Sequence, residues 1–99
     1  MRAGAFFSTF PPMEIDDWRM RIDELNDELI ALLNRRAVFA TEIGKIKRSQ
    51  GLPVLDPARE SAVLECVKEK TMKSGGPLSP ESIEQIFRVI MEETRKVEE

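Results

Sequence analysis

Residues 15–48 read IDDWRMRIDELNDELIALLNRRAVFATEIGKIKR, a stretch with no proline and a single glycine, Gly44. Apolar side chains recur in steps of three and four: Ile15, Trp18, Ile22, Leu25, Leu29 and Leu32, then Phe39, Ile43 and Ile46. That spacing marks a helix with an apolar seam of the coiled-coil type. One seam position, Arg36, carries a charge instead. The helix is predicted to end near Arg48, because Ser49-Gln50-Gly51-Leu52-Pro53 supplies a stop and then an extended X-Pro step.

Outward from this stretch the punctuation is equally clear. Asp56-Pro57 is an N-cap followed by proline at the first helical position, and it opens a second helix carrying Val63, Leu64, Val67 and Met72. That helix stops at Ser74-Gly75-Gly76-Pro77. Ser79-Pro80-Glu81 opens a third, whose seam is read as Ile83, Phe87, Ile90, Thr94 and Val97. No strand-like alternation occurs, so the expected fold class is all-α with three helices per chain. Residues 1–13 do not match this pattern and read as a flexible leader, with Met13 an alternative start; residues 14–99 form the expected domain.

A helix of about 34 residues is on the order of 50 Å long. A compact chain of this size has a radius of gyration of about 13 Å. Two shorter helices cannot cover such a seam, so an intertwined homodimer with paired first helices is expected.

Composition narrows the function. The net charge of -3 over 99 residues argues against a general nucleic-acid binder, so any anion must be held by a local cluster of cations. There is no histidine, which removes the Ser–His and Cys–His nucleophile pairs and the usual zinc sets, so no metal site is expected. The single cysteine, Cys66, allows no intrachain disulfide and is expected to be a buried structural thiol. No 18-residue apolar run or secretory segment is present, and a cytoplasmic location without membrane contact is expected.

Arg36 in an apolar seam is costly unless its guanidinium is paired, either with a carboxylate of a neighbouring helix or with a bound anion. Lys47 lies three turns further on, about 16 Å away on nearly the same face, so the two side chains can bracket one small ligand. Alone, Lys47 reads as a solvated flank. Arg19 is about 25 Å from Arg36 and reaches the same ligand only from a second, antiparallel chain; otherwise it is surface. Arg59 and Glu60 stand behind Asp56 at a helix N-terminus, where anions are favoured, although capping alone also explains them. Thr94 sets a hydroxyl in the third seam and Glu98 follows one turn later; the bland readings are a bond back to a carbonyl and a frayed, solvated end.

Four fragments in order resemble the AroQ-type, all-helical (type II) chorismate mutases: Trp18–Asp23, Leu32–Arg36, Glu42–Lys47 and Pro53–Glu60. The likeness runs from Ile15 to the C-terminus. It implies an enzyme that rearranges chorismate to prephenate in aromatic amino-acid biosynthesis, without a cofactor, in a homodimer whose sites are shared between subunits. By the same resemblance Arg19 is the arginine supplied by the partner chain, and Arg36 and Arg59 hold the substrate carboxylates. Lys47 serves the ether oxygen and a carboxylate. Asp56 and Glu60 lie near the ring hydroxyl, and Thr94 helps place a carboxylate. Glu98 falls on a second ether-oxygen donor, usually Gln; a Glu donates only when protonated, so activity is expected to fall towards alkaline pH. The rival readings are an isochorismate-pyruvate lyase of the same fold, a non-catalytic dimerisation or regulatory module, and a helical adaptor. A regulatory enzyme partner is left open.

Overall fold

The computed structural model describes residues 13–99, in which three helices, α1 (Ile15–Gln50), α2 (Pro57–Ser74) and α3 (Pro80–Glu98), account for the regular structure, with no strand among the described residues. The leader assigned to residues 1–13 lies outside them except for Met13, which is exposed. Among the described residues no helix is long and apolar enough to cross a membrane.

Each helix begins and ends where its local chemistry directs. The Glu14 amide donates to Asp17 Oδ2 at 3.0 Å, and Asp16 and Asp17 set negative charge at the positive end of α1. Lys47 and Arg48 occupy its last turn. Gly51, at φ 69°, then turns the chain so that the Leu52 amide reaches the Lys47 carbonyl at 2.8 Å, a left-handed step that glycine takes without strain. The helix therefore runs two residues past the expected Arg48. At α2, Asp56 Oδ1 accepts from the Arg59 amide at 3.1 Å; at α3, Ser79 Oγ accepts from the Ser82 amide at 3.0 Å.

The chain divides into two compact units, one ending at Asn34 and the other spanning Arg35–Glu99. The described part of the first is the N-terminal portion of α1. Its seam residues Ile15, Trp18, Ile22, Leu25, Leu29 and Leu32 are each more than half exposed.

In the second unit α2 and α3 pack together. On α2 the covered stripe is Glu60, Val63, Leu64, Val67, Lys68 and Thr71. Cys66 and Met72 are exposed, contrary to expectation. At about 100° per residue, both fall well over 90° around the helix from the middle of that stripe. On α3 the covered positions are Ile83, Glu84, Phe87, Ile90, Met91, Thr94, Arg95 and Glu98. Val97, expected to close the seam, is exposed, and Glu98 takes its place. Glu84 ties the two helices, accepting from Arg88 at 2.6 Å and lying 3.2 Å from Lys68. Those bonds hold its carboxyl below the usual carboxylate value, Arg88's foremost.

The face that α1 turns to α3 is not the apolar seam. Ala40 and Gly44 are buried, and Arg36, Ala37, Thr41 and Lys47 are half-buried, whereas Phe39, Ile43 and Ile46 remain exposed. The reason is steric. A Cβ on Gly44 would stand 2.5 Å from the Glu98 carbonyl oxygen and 2.8 Å from Glu98 Cα, so this approach requires the absence of a side chain. Gly44→Ala is expected to lower the melting temperature despite a helix-propensity gain of about 1 kcal/mol, because overpacking against backbone costs about 1–3 kcal/mol. A rise in melting temperature would show that α3 is not held this closely.

Candidate active site

A cavity of about 310 Å³ opens within the second unit, between the C-terminal half of α1, the start of α2 and the end of α3. Phe39, Ile43, Val63 and Met91 give it apolar wall. The charged lining consists of Arg36, Lys47, Arg59 and Arg95 with Asp56, Glu60 and Glu98; Thr94 adds a hydroxyl. Seven of the eight residues expected at the site are thus brought together. Arg19 is not among them: it belongs to the first unit, is exposed, and lies 3.5 Å from Asp16.

Arg36 decides how the cavity reads. Its Nη1 donates to Thr94 Oγ1 at 2.8 Å, and Thr94 in turn donates to the Ile90 carbonyl at 2.6 Å. The bond back to a carbonyl, offered as the bland role of Thr94, therefore coexists with a bond to Arg36. Among the described residues no carboxylate forms an ion pair with Arg36 or Arg59. A half-buried guanidinium satisfied by a neutral hydroxyl retains its charge for something else.

Each lining carboxylate is occupied elsewhere. Lys47 Nζ donates to Glu98 Oε1 at 2.6 Å and to the Val54 carbonyl at 2.7 Å, in a pair whose side chains are only 15% and 11% exposed. Glu98 is therefore buried, not frayed, and the Arg48 guanidinium fastens this end of α3 by donating to the carbonyls of Glu98 at 2.8 Å and Glu99 at 3.2 Å. Glu60 accepts from Arg95 Nη1 through both oxygens, at 2.8 and 2.6 Å. The hydrogen bond to Glu60, ahead of the other nearby carboxylates, raises the Arg95 guanidinium above its ordinary value. Asp56 caps α2. Four cations against three carboxylates leave the lining with one net positive charge, on the side of Arg36 and Arg59.

Arg95, Arg48 and the Val54 carbonyl were not foreseen. Arg95 follows the seam hydroxyl Thr94 by one residue, a weak signal; nothing in the sequence pairs it with Glu60, 35 residues away.

The architecture is that of an all-helical protein with a cationic, apolar-walled cavity at the ends of packed helices, which is suited to a small anion. The chain belongs to the chorismate mutase type II family, whose pattern it matches over residues 18–99. The chorismate mutase (form II) of Thermus thermophilus is similar in structure, with a TM-score of 0.77 and 32% identity, over 85% of this chain and 92% of that one. The T-protein of Haemophilus influenzae is 36% identical over 80 residues, 81% of this chain and 21% of that protein. The bifunctional chorismate mutase/prephenate dehydratase of Neisseria gonorrhoeae is 39% identical over 80 residues, again 81% of this chain and 21% of the relative. The intracellular chorismate mutase of Mycobacterium tuberculosis is 41% identical over 59 residues, 60% of this chain and 56% of that protein. The chain thus spans about a fifth of the length of the T-protein and the bifunctional enzyme.

Proposed function

We propose that this chain is a chorismate mutase that rearranges chorismate to prephenate in the cytoplasm as a homodimer. The observation that carries the reading is an Arg36 guanidinium on a cavity wall, held by Thr94 at 2.8 Å and, among the described residues, without a carboxylate partner. The reaction is a concerted intramolecular Claisen shift, which needs neither nucleophile nor proton transfer at the breaking bond. It gains from holding the enolpyruvyl arm over the ring and from fixed donors at the ether oxygen, where negative charge builds.

In this reading Arg36 and Arg59 grip the two carboxylates. Thr94 helps through Arg36. An ammonium has three N–H donors; two of those on Lys47 are spent on Glu98 and Val54, and the third is free for the ether oxygen. Glu60 accepts from the ring hydroxyl, and Asp56 lies near it. Glu98 accepts from Lys47 and so holds that ammonium in place for the ether oxygen.

Two considerations support the dimer. Burying six large seam side chains of α1 is worth on the order of 10 kcal/mol, and the single chain leaves them exposed. The cavity's single net positive charge is also one short of a dicarboxylate, and Arg19 from a second chain supplies the other. The double name of the Neisseria relative supports a working association with an enzyme acting on the product.

Ultraviolet monitoring of chorismate loss, with identification of prephenate, tests the reading. In that assay Lys47→Ala is expected to lose about 10²–10³ in kcat while remaining folded by circular dichroism, the loss typical of one transition-state donor. For the shared site, Arg19→Ala and Arg36→Ala dimers are each expected to be nearly inactive. Hybrids refolded from an equal mixture regain one intact site per dimer, about a quarter of wild-type activity overall. No recovery on mixing means that Arg19 does not complete the partner's cavity.

A further inference from the structure

The carboxylates that line the cavity are as much a hazard to an anion site as a help to it. Among the described residues Arg36 is hydrogen-bonded only to a neutral hydroxyl, and a carboxylate free to swing within the same cavity competes for it. Asp56 is committed to the cap of α2 and Glu98 to Lys47. Glu60 is restrained by one group, the Arg95 guanidinium, which contacts both of its oxygens. Both residues of the pair line the cavity and are only partly exposed, with side chains 31% open for Arg95 and 25% for Glu60.

We infer that Arg95 is a positioning residue which fixes Glu60 as a hydrogen-bond acceptor and keeps its carboxylate away from Arg36, so that Arg36 stays free for the substrate. The inference rests on the proposed function for the identity of the substrate, but its physical content lies in the geometry of the pair. A carboxylate offers about four lone-pair sites. Arg95 engages one on each oxygen, which leaves acceptors for a ligand hydroxyl while removing the freedom to swing. Arg95 itself spends a single nitrogen on this, and the pairing spans from the first turn of α2 to the last turn of α3. It therefore forms only when the two helix ends are docked, linking a correct fold to an available Arg36.

The signature is suppression. In Arg95→Gln, Glu60 is released and competes for Arg36, so KM for chorismate should rise about tenfold, the worth of one charge-assisted hydrogen bond, with a smaller change in kcat. Arg95→Lys retains a cation for Glu60 and should restore KM most of the way. Glu60→Gln removes the competing charge, so adding Arg95→Gln to it should leave KM unchanged, and the double variant should bind chorismate better than Arg95→Gln alone. A merely structural role gives Arg95 the same penalty in both backgrounds, with thermal melts falling in parallel; that additive result overturns the inference, as does an Arg95→Gln with wild-type KM. Should Arg95→Gln fail to fold, Arg95→Lys with and without Glu60→Gln reads the same coupling, and equal KM changes in the two backgrounds overturn it. Wild-type inactivity towards chorismate is a separate outcome, which overturns the proposed function together with this inference.

Discussion

The close approach of α1 and α3 at Gly44 is the constraint from which the cavity follows. With no side chain at that position, the backbone of Glu98 settles against α1, where even a methyl group would stand 2.5 Å from its carbonyl oxygen. That docking brings the Glu98 carboxylate to Lys47 and, one turn earlier, the Thr94 hydroxyl to Arg36. Arg48 secures the arrangement by donating to the Glu98 carbonyl, a group that a helix end leaves without a partner, and to that of Glu99 just beyond α3. A small-residue contact thus serves an electrostatic purpose.

What results is a site in which charge is sorted. Every carboxylate on the wall has its own donor, whether ammonium, guanidinium or helix cap, and the guanidinium of Arg36 is left with a hydroxyl. In a partly desolvated cavity this sorting matters more than the number of cations, because an arginine already neutralised by a neighbour gives little to a ligand. Fixed, pre-satisfied groups also need no reorganisation when charge develops on a reacting oxygen.

The helices, their caps and their class were legible in the sequence because each is decided by neighbouring residues: Asp56 before Pro57, Ser79 before Pro80, glycine at 51 and the 3–4 spacing of apolar side chains. The eight positions proposed for the site were likewise read from the sequence, through Arg36 breaking a seam and through a family resemblance in four short fragments, and seven of them line one cavity. Family membership follows from the match over residues 18–99 and the structural likeness to the Thermus enzyme.

Tertiary structure decided which of two stripes on α1 faces its own chain. The apolar seam residues Phe39, Ile43 and Ile46, expected to need cover from a second chain, stay exposed, and Ala40 and Gly44 carry the contact within the chain, because close helix approach is limited by side-chain size and not by hydrophobicity alone. It also placed Cys66 and Met72 outside and Glu98 inside, since burial depends on where a neighbouring helix lies around the axis. Above all it paired Arg95 with Glu60 and Lys47 with Glu98. Sequence alone sets the charges a chain carries; which of them cancel depends on distances of a few ångströms between residues far apart along it.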